Sequence, residues 1–172
     1  MNNLNIPVGV SDFSKLRNQN LYYIDKTGLI AELISHNAEV TLITRPRRFG
    51  KTLGMSMLEN FFDICRDSKK LFEGLEISEH KTLCDKWMNQ YPVISVSFWR
   101  IEAIDFKGAY DLLTVVIANI YKKRSYLSDS DKIDNYDKEV VRHLRKGDAS
   151  VKEVKDSLML LTKLMQQYNE EA

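Results

Sequence analysis

Few residues in this chain are suited to metal or redox chemistry. It has two cysteines, Cys65 and Cys84, and three histidines, His36, His80 and His143. The cysteines show no metal-ligand spacing, so they are expected to serve as small apolar side chains in a reducing compartment. The histidines are scattered without a partner pattern for metal binding or nucleophilic catalysis, and all three are expected at the surface. Charge of one sign is lacking too. The net charge is +1, which gives no bulk attraction to nucleic acid or acidic membranes, and no nucleic-acid partner is expected. No apolar run approaches the roughly 20 residues of a membrane-spanning helix. The opening Met1-Asn2-Asn3-Leu4-Asn5 lacks the basic start and apolar core of a signal peptide, so a cytoplasmic protein is expected. Internal repeats and low-complexity segments are missing as well. The chain has 172 residues, enough for one domain with a real core.

The chemistry concentrates in Thr41-Leu42-Ile43-Thr44-Arg45-Pro46-Arg47-Arg48-Phe49-Gly50-Lys51-Thr52. A short β-branched run ends at Thr44, a tight loop follows, and Gly50-Lys51-Thr52 opens an apolar-striped segment. Strand, loop, Gly-Lys-Thr and helix together read as the phosphate-binding arrangement of a P-loop. Backbone N–H groups and the positive end of the helix dipole attract phosphate oxygens. The Lys51 ammonium reaches the outer phosphates, and the Thr52 hydroxyl can ligate Mg²⁺. Arg45 stands where such a loop usually begins with glycine, a residue chosen there for its backbone freedom. Alone, Gly-Lys-Thr is a common tripeptide at helix starts; its flanks make the phosphate reading.

In chain order, Ile6 to Phe13 reads as an irregular lead-in and Leu21 to Ile24 as a short extended piece. Asp25 or Thr27 can cap a helix whose apolar face is Leu29, Ile30, Leu33 and Ile34, with Asn37 as its stop. Residues 39–44 read as a strand apolar on both faces. A helix is predicted over 50–64, with Leu53, Met57, Phe61 and Cys65 in one row and Leu58 and Phe62 beside it. Gly54 inside it suggests a close approach of helix to sheet. One helical turn and a bend follow over 69–77, and Ser78 can cap a short helix reaching about Asn89. Residues 92–98 read as the second strand. Asp105 can cap a long helix to about Arg124, 125–134 is an exposed bend, and 136–144 is helical, ended at Lys146-Gly147-Asp148. Ser150-Val151-Lys152-Glu153 is a capping box before a last helix striped to Tyr168.

The fold class expected from this inventory is α/β: an incomplete P-loop NTPase, helix-rich with few strands, its parallel sheet flanked by helices. Two strands are a poor basis for a sheet. A P-loop ATPase also needs an acid at a neighbouring strand tip to hold Mg²⁺ through water. The nearest acid after the second strand is Glu102. Asp105 is further off and better used as a cap. Arg45, Arg47 and Arg48 read either as phosphate or subunit contacts or as solvated loop charges. Phe49 is expected in the core beneath the loop. Trp87 and Trp99 are expected to pack, and Lys122-Lys123-Arg124 to complement a helix dipole.

Three sets of residues resemble a bacterial family of AAA-ATPase-like proteins: Ile6-Pro7-Val8-Gly9-Val10-Ser11-Asp12-Phe13, Tyr22-Tyr23-Ile24-Asp25-Lys26-Thr27, and Thr44 to Thr52 with Met55-Ser56-Met57-Leu58 and Tyr91-Pro92-Val93-Ile94. The likeness is to the N-terminal ATPase region of proteins that often carry a PD-(D/E)XK nuclease-like domain. In that family Arg45 is habitual. The resemblance implies ATP binding at Gly50, Lys51 and Thr52 with Arg47, Arg48 and Phe49 in the loop, Mg²⁺ at Thr52, and Asp25 near adenine or ribose. Family members continue into a strand ending in Asp-Glu, so a single truncated domain over 1–172 is expected. Its parts are a lead-in and first helix (1–38), the P-loop strand and helix (39–65), the second strand and helix (92–124) and C-terminal helices (125–172). Such a fragment would bind nucleotide with little or no hydrolysis. The alternative is a non-catalytic interaction fragment that pairs with itself, as a homo-oligomer, or with a full-length relative. Tests of salt-sensitive DNA binding separate both from a nucleic-acid module.

Overall fold

A computed structural model describes residues 5–99, 101–129 and 131–169. The chain divides into two compact units, Met1–Val93 and Ile94–Ala172.

The first unit is built on short helices: α1 (Phe13–Asn18), α2 (Gly28–His36), α3 (Lys51–Phe62), α4 (Lys69–Phe72) and α5 (Lys81–Trp87), with a 3-10 turn over Glu76–Glu79. α1, unforeseen in the sequence, starts where the Asp12 carboxylate accepts a bond from the Lys15 N–H. Its length is too short to be stable alone. Tertiary bonds hold it: Phe13 N–H donates to Ser56 Oγ on α3, and the Arg17 guanidinium donates to the carbonyls of Leu71 and Glu73. The core is aromatic. Phe13, Phe61 and Phe72 are each fully buried, the Phe72 ring lying 5.0 Å from Phe13 and edge-on to Phe61 at 5.4 Å, with Met57, Ile30 and Ile77 around them. Each such side chain contributes roughly 2–3 kcal/mol by leaving water. The predicted stripe of α3 is thus buried at Met57 and Phe61, while its extension to Cys65 ends exposed.

One residue closes the far end of α3. Asn89, in the left-handed region at φ 55, donates its backbone N–H to the Phe61 carbonyl and its amide to the carbonyls of Asn60 and Asp63. Tyr91 N–H donates to Phe62 O. These are carbonyls that a helix C-terminus leaves without intrahelical partners.

The second unit holds α6 (Phe106–Lys122), α7 (Tyr126–Asp129), α8 (Asn135–Lys146) and α9 (Val151–Asn169). Its core runs through Tyr121, Leu127, Val141, Leu144, Leu161 and Leu164. Tyr121 is buried and donates its hydroxyl to the Ser157 carbonyl at 2.5 Å; burial pushes its phenol far above the usual range. Helix starts are capped as the sequence predicts at Asp105, which accepts from Gly108 N–H, and at the reciprocal Ser150–Glu153 box. Gly147 at φ 82 ends α8. The expected exposed bend over 125–134 holds the short α7 at Tyr126–Asp129, with Leu127 in it and Ile133 after it buried in the core. Those two apolar positions, set among serines and aspartates, were overruled by the polarity around them.

The α/β expectation is overturned. Among the described residues there is no strand and no sheet; an isolated parallel bridge pairs Asp63 with Tyr91. Segment 39–44 is irregular, with Val40 86% and Leu42 85% exposed. Segment 92–98 alternates as a strand would, Ile94 and Val96 packing on the second core while Ser95 and Ser97 face out, yet it has no ladder. β-branched content measures fitness for a pleated, half-buried surface, and a strand exists only when neighbours supply hydrogen bonds. The explanation offered for Gly54 falls with the sheet: a side chain there would meet nothing within 4 Å. Ser78 does not cap α5 either. Its hydroxyl bonds back to Leu75 O, and His80 precedes the helix.

Candidate functional site

The site grows from the start of α3. Gly50 is its N-cap residue, at φ 78, and its carbonyl accepts the first helical bond from Gly54 N–H at 2.8 Å. No side chain caps this end. The leading N–H groups of an α-helix have no partners within it, and here none is supplied by a cap. The residue two before Gly50, Arg48, is also left-handed at φ 69. Together they turn the chain sharply from Pro46, whose carbonyl faces Phe49 N–H, into the helix. Lys51 folds back across this loop, its ammonium donating to the Arg45 carbonyl at 2.7 Å.

The loop borders a cleft of about 590 Å³ inside the first unit. Its basic rim comprises Lys26, Arg45, Arg48 and Lys51, and among the described residues no aspartate or glutamate lines it. The rest of the wall is apolar: Ile6, Pro7, Tyr22, Ile24, Leu29, Ile43, Leu53 and Met57. Tyr23, also on the wall, donates its hydroxyl towards Met57 Sδ at 3.3 Å, and burial pushes that phenol above its usual value.

Of the residues named from sequence, Arg48, Phe49, Gly50 and Lys51 come together on this cleft. Arg47 and Thr52 are exposed and do not line it. Phe49, expected in the core, is 60% exposed at the cleft edge. It sits between two left-handed residues, which turn it out of the fold.

Asp25 does not line the cleft. Its carboxylate accepts from Thr27 N–H and Thr27 Oγ1 through one oxygen and from Glu76 N–H through the other, at 2.7–2.8 Å. Thr27, fully buried, in turn accepts from Ile77 N–H. Partial burial pushes the Asp25 carboxyl up, but the Glu76 and Thr27 N–H groups and the Thr27 hydroxyl outweigh it and hold the group below its ordinary value. Asp25 is thus the bracket between α2 and the 3-10 turn. Sequence reasoning missed the apolar wall, because Ile6, Pro7, Tyr22 and Ile24 read as a lead-in to a fold rather than as lining. Their one signal was an apolar cluster with neither helix nor strand length behind it.

Glu102 is exposed and Asp105 serves as the cap of α6. Among the described residues no group of three or more His, Cys, Asp or Glu could hold a metal ion, and no helix is long and apolar enough to cross a membrane. His36 and His80 are exposed, His143 is half-buried. Trp87 packs on Tyr91 at 5.1 Å, whereas Trp99 is 73% exposed.

Comparison with known proteins gives a family. The model of the AAA-ATPase-like family, described as "Predicted AAA-ATPase", matches residues 7–171. An "Uncharacterized protein in vnfD 5'region" of Azotobacter chroococcum mcd 1 is 33% identical over 120 residues, which are 67% of this chain and 22% of that protein. The chain therefore spans about a fifth of that relative's length. No solved structure matches.

Proposed function

The chain belongs to the AAA-ATPase-like family, and from that premise we propose that its cleft binds ATP. The observation that carries the reading is the uncapped start of α3 beside Lys51 and an apolar cleft whose charged rim is wholly basic. The polyphosphate lies against the free N–H groups of α3 and the turn at Arg48 and Gly50, where dipole and backbone donors favour anions. Lys51 supplies the ammonium for the outer phosphates. It now holds the Arg45 carbonyl, so it shifts or shares that bond when phosphate arrives. The base occupies the apolar wall formed by residues such as Tyr22, Ile24 and Leu29.

Mg²⁺ finds poor support from the protein alone. Thr52 Oγ1, at the exposed start of α3 outside the cleft lining, would offer one oxygen, and the described lining has no carboxylate, so the ion would be brought by the nucleotide and keep phosphate and water ligands. For the same reason hydrolysis by this chain is weak or nil, since no acid at the cleft orients an attacking water. Arg47 stays at the loop surface as a solvated charge.

Calorimetric titration of ATP into the 172-residue chain tests this. Wild type releases heat with a single-site isotherm, and Lys51→Ala weakens binding by about tenfold or more, as expected for a charge-assisted contact worth about 1.5–3 kcal/mol. Equal affinity in the two proteins, or no heat from wild type, refutes the reading.

A second reading has its own observation. Val40, Leu42 and Ile24 are exposed by 86, 85 and 64%, and exposed apolar patches mark contact surfaces. The occupant inferred is a second copy of this chain. Light scattering that returns a monomer mass across concentrations excludes it.

A further inference from the structure

We propose that Lys26, rather than Asp25, is the nucleotide-contacting group of the Asp25-Lys26-Thr27 segment, acting as a second phosphate cation opposite Lys51; this rests on the nucleotide reading above. The first support is position. The Lys26 ammonium lies 3.9 Å from where a side chain on Gly50 would begin, at the turn into α3. Lys26 lines the cleft together with Arg48, Gly50 and Lys51, and Asp25 does not.

The second support is the division of labour between neighbours. Both Asp25 oxygens are engaged by Thr27 and Glu76, so the carboxylate has little left to offer a ribose. The same bonds fix the backbone from which Lys26 projects, and the Lys26 carbonyl accepts from Leu29 N–H at the start of α2. Asp25 therefore serves the fold, joining the start of α2 to the 3-10 turn, and not the ligand.

The third support is the charge balance. Among the described residues Lys26 has no carboxylate partner, and the cleft rim gathers Lys26, Arg45, Arg48 and Lys51 without one. Like charges brought together repel, and a polyanion relieves them. Lys51 already gives a hydrogen bond to Arg45, whereas Lys26 keeps its donors open.

The location also says which phosphates. Backbone donors of such a loop cradle the inner phosphates while the Gly-Lys-Thr lysine reaches the outer ones. The Lys26 ammonium lies beside Gly50, and a cation at that turn is assigned to the inner pair that ATP and ADP share.

The experiment is calorimetric titration of ATP and of ADP against wild type, Lys26→Met, Lys26→Arg, Asp25→Asn and Lys51→Ala, with a thermal melt of each. Lys26→Met is expected to weaken ATP and ADP by the same factor, about tenfold. Lys26→Arg, which keeps the charge, stays within about threefold of wild type, and Lys51→Ala weakens ATP more than ADP. Asp25→Asn lowers the melting temperature, while ATP affinity of the folded protein stays within about threefold. Because Lys26 is exposed, Lys26→Met melts as wild type; should it not, Lys26→Gln replaces it and must show the same equal loss. If Lys26→Met binds both nucleotides as wild type does while Lys51→Ala loses ATP, the inference is overturned and the nucleotide reading stands. If Asp25→Asn alone loses binding without a change in melting, the assignment is also overturned. If wild type binds no ATP, the nucleotide reading itself has failed.

Discussion

α3 of the first unit begins differently from α6, α8 and α9 of the second. In the second unit α6, α8 and α9 each start under a side chain of their own: Asp105 on Gly108 N–H, Asp134 on Asp137 N–H, Ser150 and Glu153 on each other. In the first unit α3 starts at a glycine with no side chain to offer, among arginines and lysines. A capped start consumes its own donors and contributes about 1 kcal/mol to the fold. An uncapped one leaves those donors for something else. The second unit uses its polar residues to stabilise itself, and the first leaves a set of them unsatisfied around a cleft.

The largest effect bearing on this contrast is in the packing beneath α3. Phe61→Ala removes the fully buried ring that α3 contributes to the aromatic cluster and costs about 3–5 kcal/mol, seen as a lower denaturation midpoint in urea. A loss under about 1 kcal/mol would mean that the cluster is not the support of the cleft. Asn89→Ala comes next. It removes the amide bonds to the Asn60 and Asp63 carbonyls, of which Asp63 keeps Arg66 N–H, and the acceptor of Ser68 N–H, and should cost about 1–3 kcal/mol, read by the same denaturation. Asp105→Ala removes a cap and costs about 1 kcal/mol. Adding millimolar ATP should raise the melting temperature of Asp105→Ala as much as that of wild type, since α6 is not a nucleotide helix. A diminished shift would blur the contrast between the units.

The smallest effect is electrostatic. His143 Nδ1 and Glu153 Oε1 lie 3.0 Å apart, joining the end of α8 to the start of α9. Hydrogen bonds from the Ser150 side chain and from His143 hold the Glu153 carboxyl down to about 2, against an ordinary 4.5. The bond to Glu153 holds His143 above its ordinary 6.5. The Glu153 contribution is present above pH 4.5 and is lost as pH falls towards about 2. The His143 contribution is present below pH 6.5 and is lost as pH rises through its raised value. The pair therefore stabilises most between about pH 4.5 and 6.5, and His143→Gln should lower the melting temperature slightly within that window and flatten its pH dependence on either side. The site is solvent-exposed, so the change is small and shrinks with added salt.

What could be read from the sequence was local. Asp105 and Ser150 sit three residues before the groups they bind, and Gly147 ends its helix at once, so α6, α8 and α9 were legible. The stripe of α3 through Met57 and Phe61 was legible for the same reason. Segments 39–44 and 92–98 failed because a strand is a property of two chains side by side, and Val40, Leu42 and Ile43 describe one side only. The loop at 45–52 was legible as chemistry. The cleft it borders was not, because Ile6, Tyr22 and Lys26 reach it through contacts set by α1, α2 and the Asp25 bracket. Asp25 and Lys26 are adjacent charges that the sequence does not rank, and it is Lys26 that lines the cleft.

The clasp at the far end of α3 has a mechanical consequence. Asn89 and Tyr91 grip the carbonyls of residues 60–63, while residues 50–52 at the other end are exposed and uncapped. The helix is a cantilever, clamped at Phe62 and free at Lys51. On the nucleotide reading, a bound anion would load the free end and leave the clamp at rest. Amide hydrogens near Phe61 should therefore exchange slowly with or without nucleotide, and those in the first turns should slow only when it is bound.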